Sequence, residues 1–154
     1  MIYERIEDVK SVSIPENARL IALDYGEAKI GIALSDITRT VANPHSVYKR
    51  RNMSKDLGYL SELMTEQKVA LIVLGLPITM DGAESEACDK VRHFAKKLVQ
   101  KTSMAVLLVD ERLTTAEASR MLRETDMTRK KRDAIDDKLA ATILLQHALT
   151  MLYS

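Results

Sequence analysis

Val69-Ala70-Leu71-Ile72-Val73-Leu74-Gly75 is the stretch that decides the fold class. Seven successive positions carry no polar side chain. A half-exposed strand would alternate apolar and polar residues, so this run predicts a central parallel strand covered on both faces. Residues 104–109 repeat the pattern and end in two carboxylates, Asp110 and Glu111. Between the two runs Ser85 opens a segment in which Cys88, Val91, Phe94, Ala95 and Leu98 recur at helical spacing. Strand, helix, strand in that order implies parallel pairing through a right-handed crossover.

Toward the N-terminus, Leu57, Leu60, Leu63 and Met64 mark an amphipathic helix over residues 54–68. Before it, residues 20–23 form a short apolar run ending at Asp24, and Ile30-Gly31-Ile32-Ala33-Leu34 follows the turn Tyr25-Gly26-Glu27-Ala28. That pattern is a strand, a tight turn and a second strand. A third extended piece falls at residues 41–47, where Pro44 requires an edge position because proline donates nothing to a ladder. Residues 1–19 read as an irregular arm at the sheet edge, preceding a single domain over residues 20–154.

On the C-terminal side, Thr114-Thr115-Ala116-Glu117 is a capping box for a helix through Leu122. Residues 124–133 are dominated by charge and read as a mobile loop holding Arg129-Lys130-Lys131-Arg132. A last helix is expected over residues 134–152, with Ile135, Leu139, Ile143 and Gln146 or Leu149 along its apolar stripe.

Composition narrows the classes. The 154 residues carry 23 Lys+Arg against 22 Asp+Glu, a net charge of +1, so any basic surface is local. A single cysteine, Cys88, excludes an internal disulfide and a multi-cysteine metal site, and it fits a reducing, cytoplasmic setting. No apolar run is long enough for a membrane span, so no membrane partner is expected. His45, His93 and His147 lie far apart in the chain, which disfavours a zinc site.

The acids carry the chemistry. In open α/β sheets the ligand crevice lies beyond the carboxyl ends of the strands. Asp24 ends the first strand, Asp110 and Glu111 end the last, and Asp136-Asp137 stand near the start of the final helix. Convergent carboxylates repel one another unless a cation lies between them, and hard oxygen ligands suit Mg²⁺ or Mn²⁺. Two such ions would clamp the attacking and leaving oxygens of a phosphodiester. Each acid taken alone also fits a cap or a dipole partner. Lys29, Arg112 and the run Arg129, Lys130, Lys131, Arg132 are the candidate phosphate contacts. Lys49-Arg50-Arg51 is basic as well, but scattered tyrosines offer little stacking platform.

Taken together, Leu23-Asp24-Tyr25-Gly26, Lys29 to Asp36, Gly75-Leu76-Pro77 with Met80-Asp81-Gly82, Asp110-Glu111-Arg112-Leu113-Thr114-Thr115-Ala116-Glu117, and Asp137-Lys138-Leu139-Ala140-Ala141 resemble the YqgF family. Its members are described as pre-16S rRNA nucleases or RuvX-type Holliday junction resolvases. The resemblance implies an RNase H-like fold: a five-stranded mixed sheet, strand order 3-2-1-4-5, with helices on both faces. It further implies a metal-dependent nuclease whose catalytic and metal-holding acids map to Asp24, Glu111 and Asp137. Strand alternation favours only one of Asp110 and Glu111 facing the site; Glu111 is the expected one, with Asp110 the alternative metal ligand. The implied partner is structured RNA or branched DNA, handled by a monomer or a homodimer. A non-catalytic nucleic-acid-binding factor in ribosome assembly or transcription is the alternative, and a nucleotide site in the Asp24–Gly31 hairpin a third.

Overall fold

The computed structural model describes residues 1–113 and 129–153, with side chains described for 1–113 and 138–153. Six strands form one sheet: β1 (Ile2–Tyr3), β2 (Arg19–Tyr25), β3 (Lys29–Ser35), β4 (Ala42–Lys49), β5 (Val69–Leu76) and β6 (Ala105–Asp110). The helices are α1 (Ile6–Val9), α2 (Met53–Glu66), α3 (Glu86–Thr102) and α4 (Arg129–Tyr153). Strand order across the sheet is β1-β6-β5-β2-β3-β4. Pairs β2–β5, β5–β6 and β1–β6 are parallel, whereas β2–β3 and β3–β4 are antiparallel.

The two all-apolar runs become β5 and β6, and both are covered on two sides. Ile72, Leu74, Leu76, Val106 and Leu108 pack with α2 and α3, while Leu71, Val73, Leu107 and Val109 pack with α4. The caps explain where the crossover helices begin. Asn52 accepts from the Lys55 N–H ahead of α2, and Ser85 accepts from the Ala87 N–H ahead of α3. Pro44 sits on edge strand β4, at the bulge where Ile32 pairs with Ser46 and Ala33 with Pro44. The missing N–H is therefore absorbed by an irregular edge, as its ring demands.

Three expectations need correction. The sheet has six strands, because Ile2 and Tyr3 pair in parallel with Val106 and Leu107. A two-residue strand is too short to leave a periodic signature. The arm also places Val9 in the α4-side core, with Ile6 and Ile14 packed against it. The basic run Arg129 to Arg132 lies in the first turn of α4 rather than in a loop. Lysine and arginine are good helix formers, so the charged run extends the last helix toward its N-terminus instead of preceding it. The α4 stripe on the sheet is Ala141, Leu144, Leu145, Ala148 and Leu149. Gln146 lies beside that stripe and closes the β4 edge, accepting from the Ala42 N–H at 2.9 Å and donating to the Thr40 carbonyl at 3.2 Å. The expected helix at 114–122 falls outside the described residues.

Candidate active site

Alternation along β2 places the first acid. Ile21 and Leu23 enter the layer under α2 and α3, while Leu20 and Ala22 enter the layer under α4. Asp24 therefore stands on the α4 face at the carboxyl end of a central strand. Its cross-strand partner is Gly31, and one step before it Leu23 pairs with Leu74, the residue preceding Gly75. Small residues on neighbouring strands leave space above the sheet around the carboxylate.

The second acid arrives by the same rule. Leu107 and Val109 face α4, and the Glu111 N–H donates to the Leu76 carbonyl at 3.1 Å, which carries the ladder one step beyond Asp110. Glu111 thus shares the face of Asp24, and the two carboxyl groups are hydrogen-bonded to each other. Gly75 makes this possible. A Cβ on residue 75 would lie 2.9 Å from Glu111 Cγ and 3.1 Å from Cδ, inside van der Waals contact.

Burial pushes the Glu111 carboxyl up to about 8, with the Asp24 charge and hydrogen bond adding to it and Asp110 contributing last. Burial and the like charge of Asp24 both favour the protonated form of Glu111, and the two groups titrate as a pair. A carboxyl group raised by burial and a like charge at the end of a central strand is a functional-site candidate.

Asp110 points the other way. It pairs with Leu76 in the register and accepts from Arg112 at Nε (2.9 Å), Nη2 (2.7 Å) and the backbone N–H (2.9 Å). This fork holds the Asp110 carboxyl below the usual carboxylate range and commits the Arg112 guanidinium to a turn. Beside it, the loop after β5 is pinned by Asp81, which accepts from Thr79 and from the Ala83 N–H. Gly82 has φ +87° there, a conformation that excludes most side chains, and its neighbour across the gap is Arg112.

Lys29 opens β3 at the hairpin mouth, its carbonyl accepting from the Gly26 N–H at 2.9 Å. Position 137 lies one turn before Ala141 along the α4 stripe that covers the sheet. Among the described residues no third His, Cys, Asp or Glu joins the Asp24–Glu111 pair. The side chains of Asp137 and of Arg129 to Arg132 lie outside those described.

Sequence reasoning missed the support beneath the site. Asp56 is fully buried and accepts from Tyr48 Oη (2.9 Å), Arg50 Nε (2.9 Å) and the Arg51 N–H (3.0 Å). Arg50 continues to the Gly26 carbonyl at 3.2 Å and lies 4.6 Å from the Tyr25 ring centroid. Tyr25 in turn stacks on Phe94 at 4.1 Å. The hairpin directly after Asp24 is thereby clamped to α2 and α3. The one sequence signal was an acid breaking the amphipathic pattern one turn into a helix, next to a basic pair.

Fold and site together define an RNase H-like α/β domain with paired acids at the carboxyl ends of its central strands. The family model described as "RuvX: Holliday junction resolvase" matches residues 18–151, and the chain belongs to that family. A protein of Ehrlichia ruminantium (strain Welgevonden) named "Putative pre-16S rRNA nuclease" is 43% identical over 151 residues, covering 98% of this chain and 96% of its own. One of the same name from Anaplasma marginale (strain St. Maries) is 46% identical over 133 residues, covering 86% and 85%. Among solved structures, the chain is similar to Thermus thermophilus RuvC in complex with a Holliday junction substrate. That likeness has TM-score 0.55 and 14% identity, covering 86% of this chain and 94% of the other. Fowlpox virus resolvase with Holliday junction DNA gives TM-score 0.54 and 14% identity, covering 88% and 99%. Both structures share the fold. No described helix is long and apolar enough to cross a membrane.

Proposed function

We propose that the chain is a divalent-metal-dependent nuclease that hydrolyses phosphodiester bonds in structured nucleic acid. The observation that carries this reading is the Asp24–Glu111 pair, two carboxyls brought onto one face at the carboxyl ends of the central strands, with Gly75 leaving room between them. Their oxygen-only donor set fits Mg²⁺ or Mn²⁺, with Asp137 as the third ligand. When bound, such ions activate a water and neutralise charge on the scissile phosphate. Asp24 and Glu111 fix the position of that charge, and the backbone clamp around Gly26 keeps Asp24 from drifting. Lys29 and the basic turn Arg129 to Arg132 contact backbone phosphates, a role that orients the substrate without reading its sequence. Arg112 serves mainly to hold Asp110.

The name shared by relatives above 40% identity supports pre-16S rRNA as the leading substrate, cleaved in our reading at its 5′ end, with branched DNA the second. Cleavage of a labelled 5′-extended ribosomal RNA fragment and of a four-way DNA junction, each with Mg²⁺ or EDTA, tests this directly. Metal-dependent cutting of the RNA supports the reading. Cutting of the junction alone moves the substrate to DNA, and cutting of neither sinks the nuclease assignment.

Two further outcomes follow from the geometry. Because the Glu111 carboxyl is held up to about 8, cation binding at pH 7 must expel its proton. Mg²⁺ affinity should therefore rise with pH up to about 8 and then level off. Calorimetric titration in two buffers of different ionisation enthalpy should show close to one proton released, and Glu111→Gln should show none. In Gly75→Ala, the new methyl group drives Glu111 off its position. Displacing a ligand in this way should cost about 10–100-fold in cleavage rate or metal affinity, while thermal stability measured without metal stays close to wild type.

A further inference from the structure

We propose that the groove beyond the carboxyl end of β4 is a second nucleic-acid contact surface, where Lys49 and Arg51 hold backbone phosphates and Tyr59 stacks one unpaired base. It deepens the nuclease reading and rests on it for the identity of the strand.

The groove has a volume of about 470 Å³ and is lined by Val47, Tyr48, Lys49, Arg50, Arg51 and Tyr59. Three of the six are cations and none is an acid. The nearby carboxylate, Asp56, is fully buried and occupied by Arg50, Tyr48 and the Arg51 N–H, so it neutralises neither outer cation. Lys49 and Arg51 are exposed and form no ion pair among the described residues. A concentration of unpaired positive charge in a concave surface suits a polyanion.

Tyr59 supplies the second element. It is 37% exposed, yet its ring is fixed by stacking on Tyr48 at 4.4 Å with 15° between planes. Tyr48 is itself tethered through its hydroxyl to Asp56. A rigid, partly exposed aromatic face beside two cations is how sequence-tolerant single-strand sites are built. The two rings stand eleven residues apart, one on β4 and one on α2, which is why the sequence showed no platform.

Position ties the groove to the acids. β2 and β4 are both antiparallel to β3, so their carboxyl ends lie at the same edge of the sheet. Two strand spacings separate them, about 10 Å. Lys49 shares the α4 face with Asp24, whereas Tyr48 and Tyr59 lie on the α2 side, so a strand leaving the acidic pair meets Lys49 first and bends round the end of β4 to reach Tyr59. Lys29, directly opposite Lys49 in the register, lies on the way.

The test uses the full chain in EDTA, where nothing is cut. Two fluorescein-labelled RNA hairpins share one stem; one carries a single-stranded 5′ tail and the other is blunt. Fluorescence anisotropy is followed from 50 to 200 mM salt. Lys49→Ala/Arg51→Ala should weaken both probes at least tenfold and lower the slope of log K against log salt by about 1.4 to 1.8. Tyr59→Ala should weaken the tailed probe about tenfold and leave the blunt one unchanged. Tyr59→Leu, which keeps apolar packing on Tyr48, should match it if stacking on a base is what is lost. Wild-type affinity and slope in the double variant would overturn the phosphate contacts. An equal effect of Tyr59→Ala on both probes would overturn the stacked base. Absence of binding by wild type would overturn the surface as a whole, while the Mg²⁺ cleavage assay judges the acidic pair independently.

Discussion

Asp24→Asn is expected to abolish cleavage while leaving the fold intact or firmer. The substitution keeps the shape of the side chain and one oxygen acceptor, so hairpin packing should not change. What it removes is the charge that Glu111 faces. Loss of even an outer-shell partner costs about 10–100-fold at metal sites, so loss of a direct carboxylate should lower the rate by more than about 100-fold. Without metal the wild-type pair holds two acids where only one ionises comfortably. Relief of that repulsion should raise the melting temperature of the variant at pH 8 relative to wild type. Added Mg²⁺ should reverse the order, stabilising wild type through binding to the native state and leaving the variant almost unmoved. A variant that cuts at the wild-type rate would remove Asp24 from the chemistry.

The sequence carried this much of the site because strand ends are a legible feature. Unbroken apolar runs announced β5 and β6, and an acid stopping such a run marks the carboxyl edge of a sheet. Alternation then decided between Asp110 and Glu111: an unbroken ladder through the Glu111 N–H puts residue 111 on the face of Asp24 and residue 110 on the face of α2 and α3. Asp110, the other candidate for the middle carboxylate, is instead held in a fork with Arg112. What was illegible depended on contacts between distant segments. The room that Gly75 leaves for Glu111 is set by two neighbouring strands, and a lone glycine in an apolar run looks like any other. The β1 strand is defined by its partner β6 rather than by any pattern of its own. Charge in the run Arg129 to Arg132 masked a helix start, because solvated helix turns and loops share the same composition.

The largest loss of stability should come from Asp56→Ala, in the cluster beneath the acidic pair. Asp56 is wholly buried and gathers a guanidinium, a phenol and a backbone N–H, and its Arg50 partner is only 16% exposed at the side chain. Burial alone would push this carboxyl up. The hydrogen bonds from the Arg51 N–H, Arg50 and Tyr48 outweigh it and hold the group below its ordinary value. Removing the acceptor strands a buried cation and two donors, which costs about 3 kcal/mol. For a chain of this length that corresponds to a fall of about 10 °C in melting temperature. The sign of the pH dependence follows from the lowered carboxyl. Its contribution is complete above the unfolded value near 4 and is lost as pH falls through the lower folded value. Wild type should therefore lose stability on acidification more steeply than Asp56→Ala, and the two melting curves should converge at low pH. The same substitution slackens Arg50 against Gly26 and Tyr25, so cleavage well below the melting temperature should also drop, by less than in Asp24→Asn. Equal melting temperatures for wild type and Asp56→Ala at neutral pH would show that the cluster is not what clamps the hairpin behind Asp24.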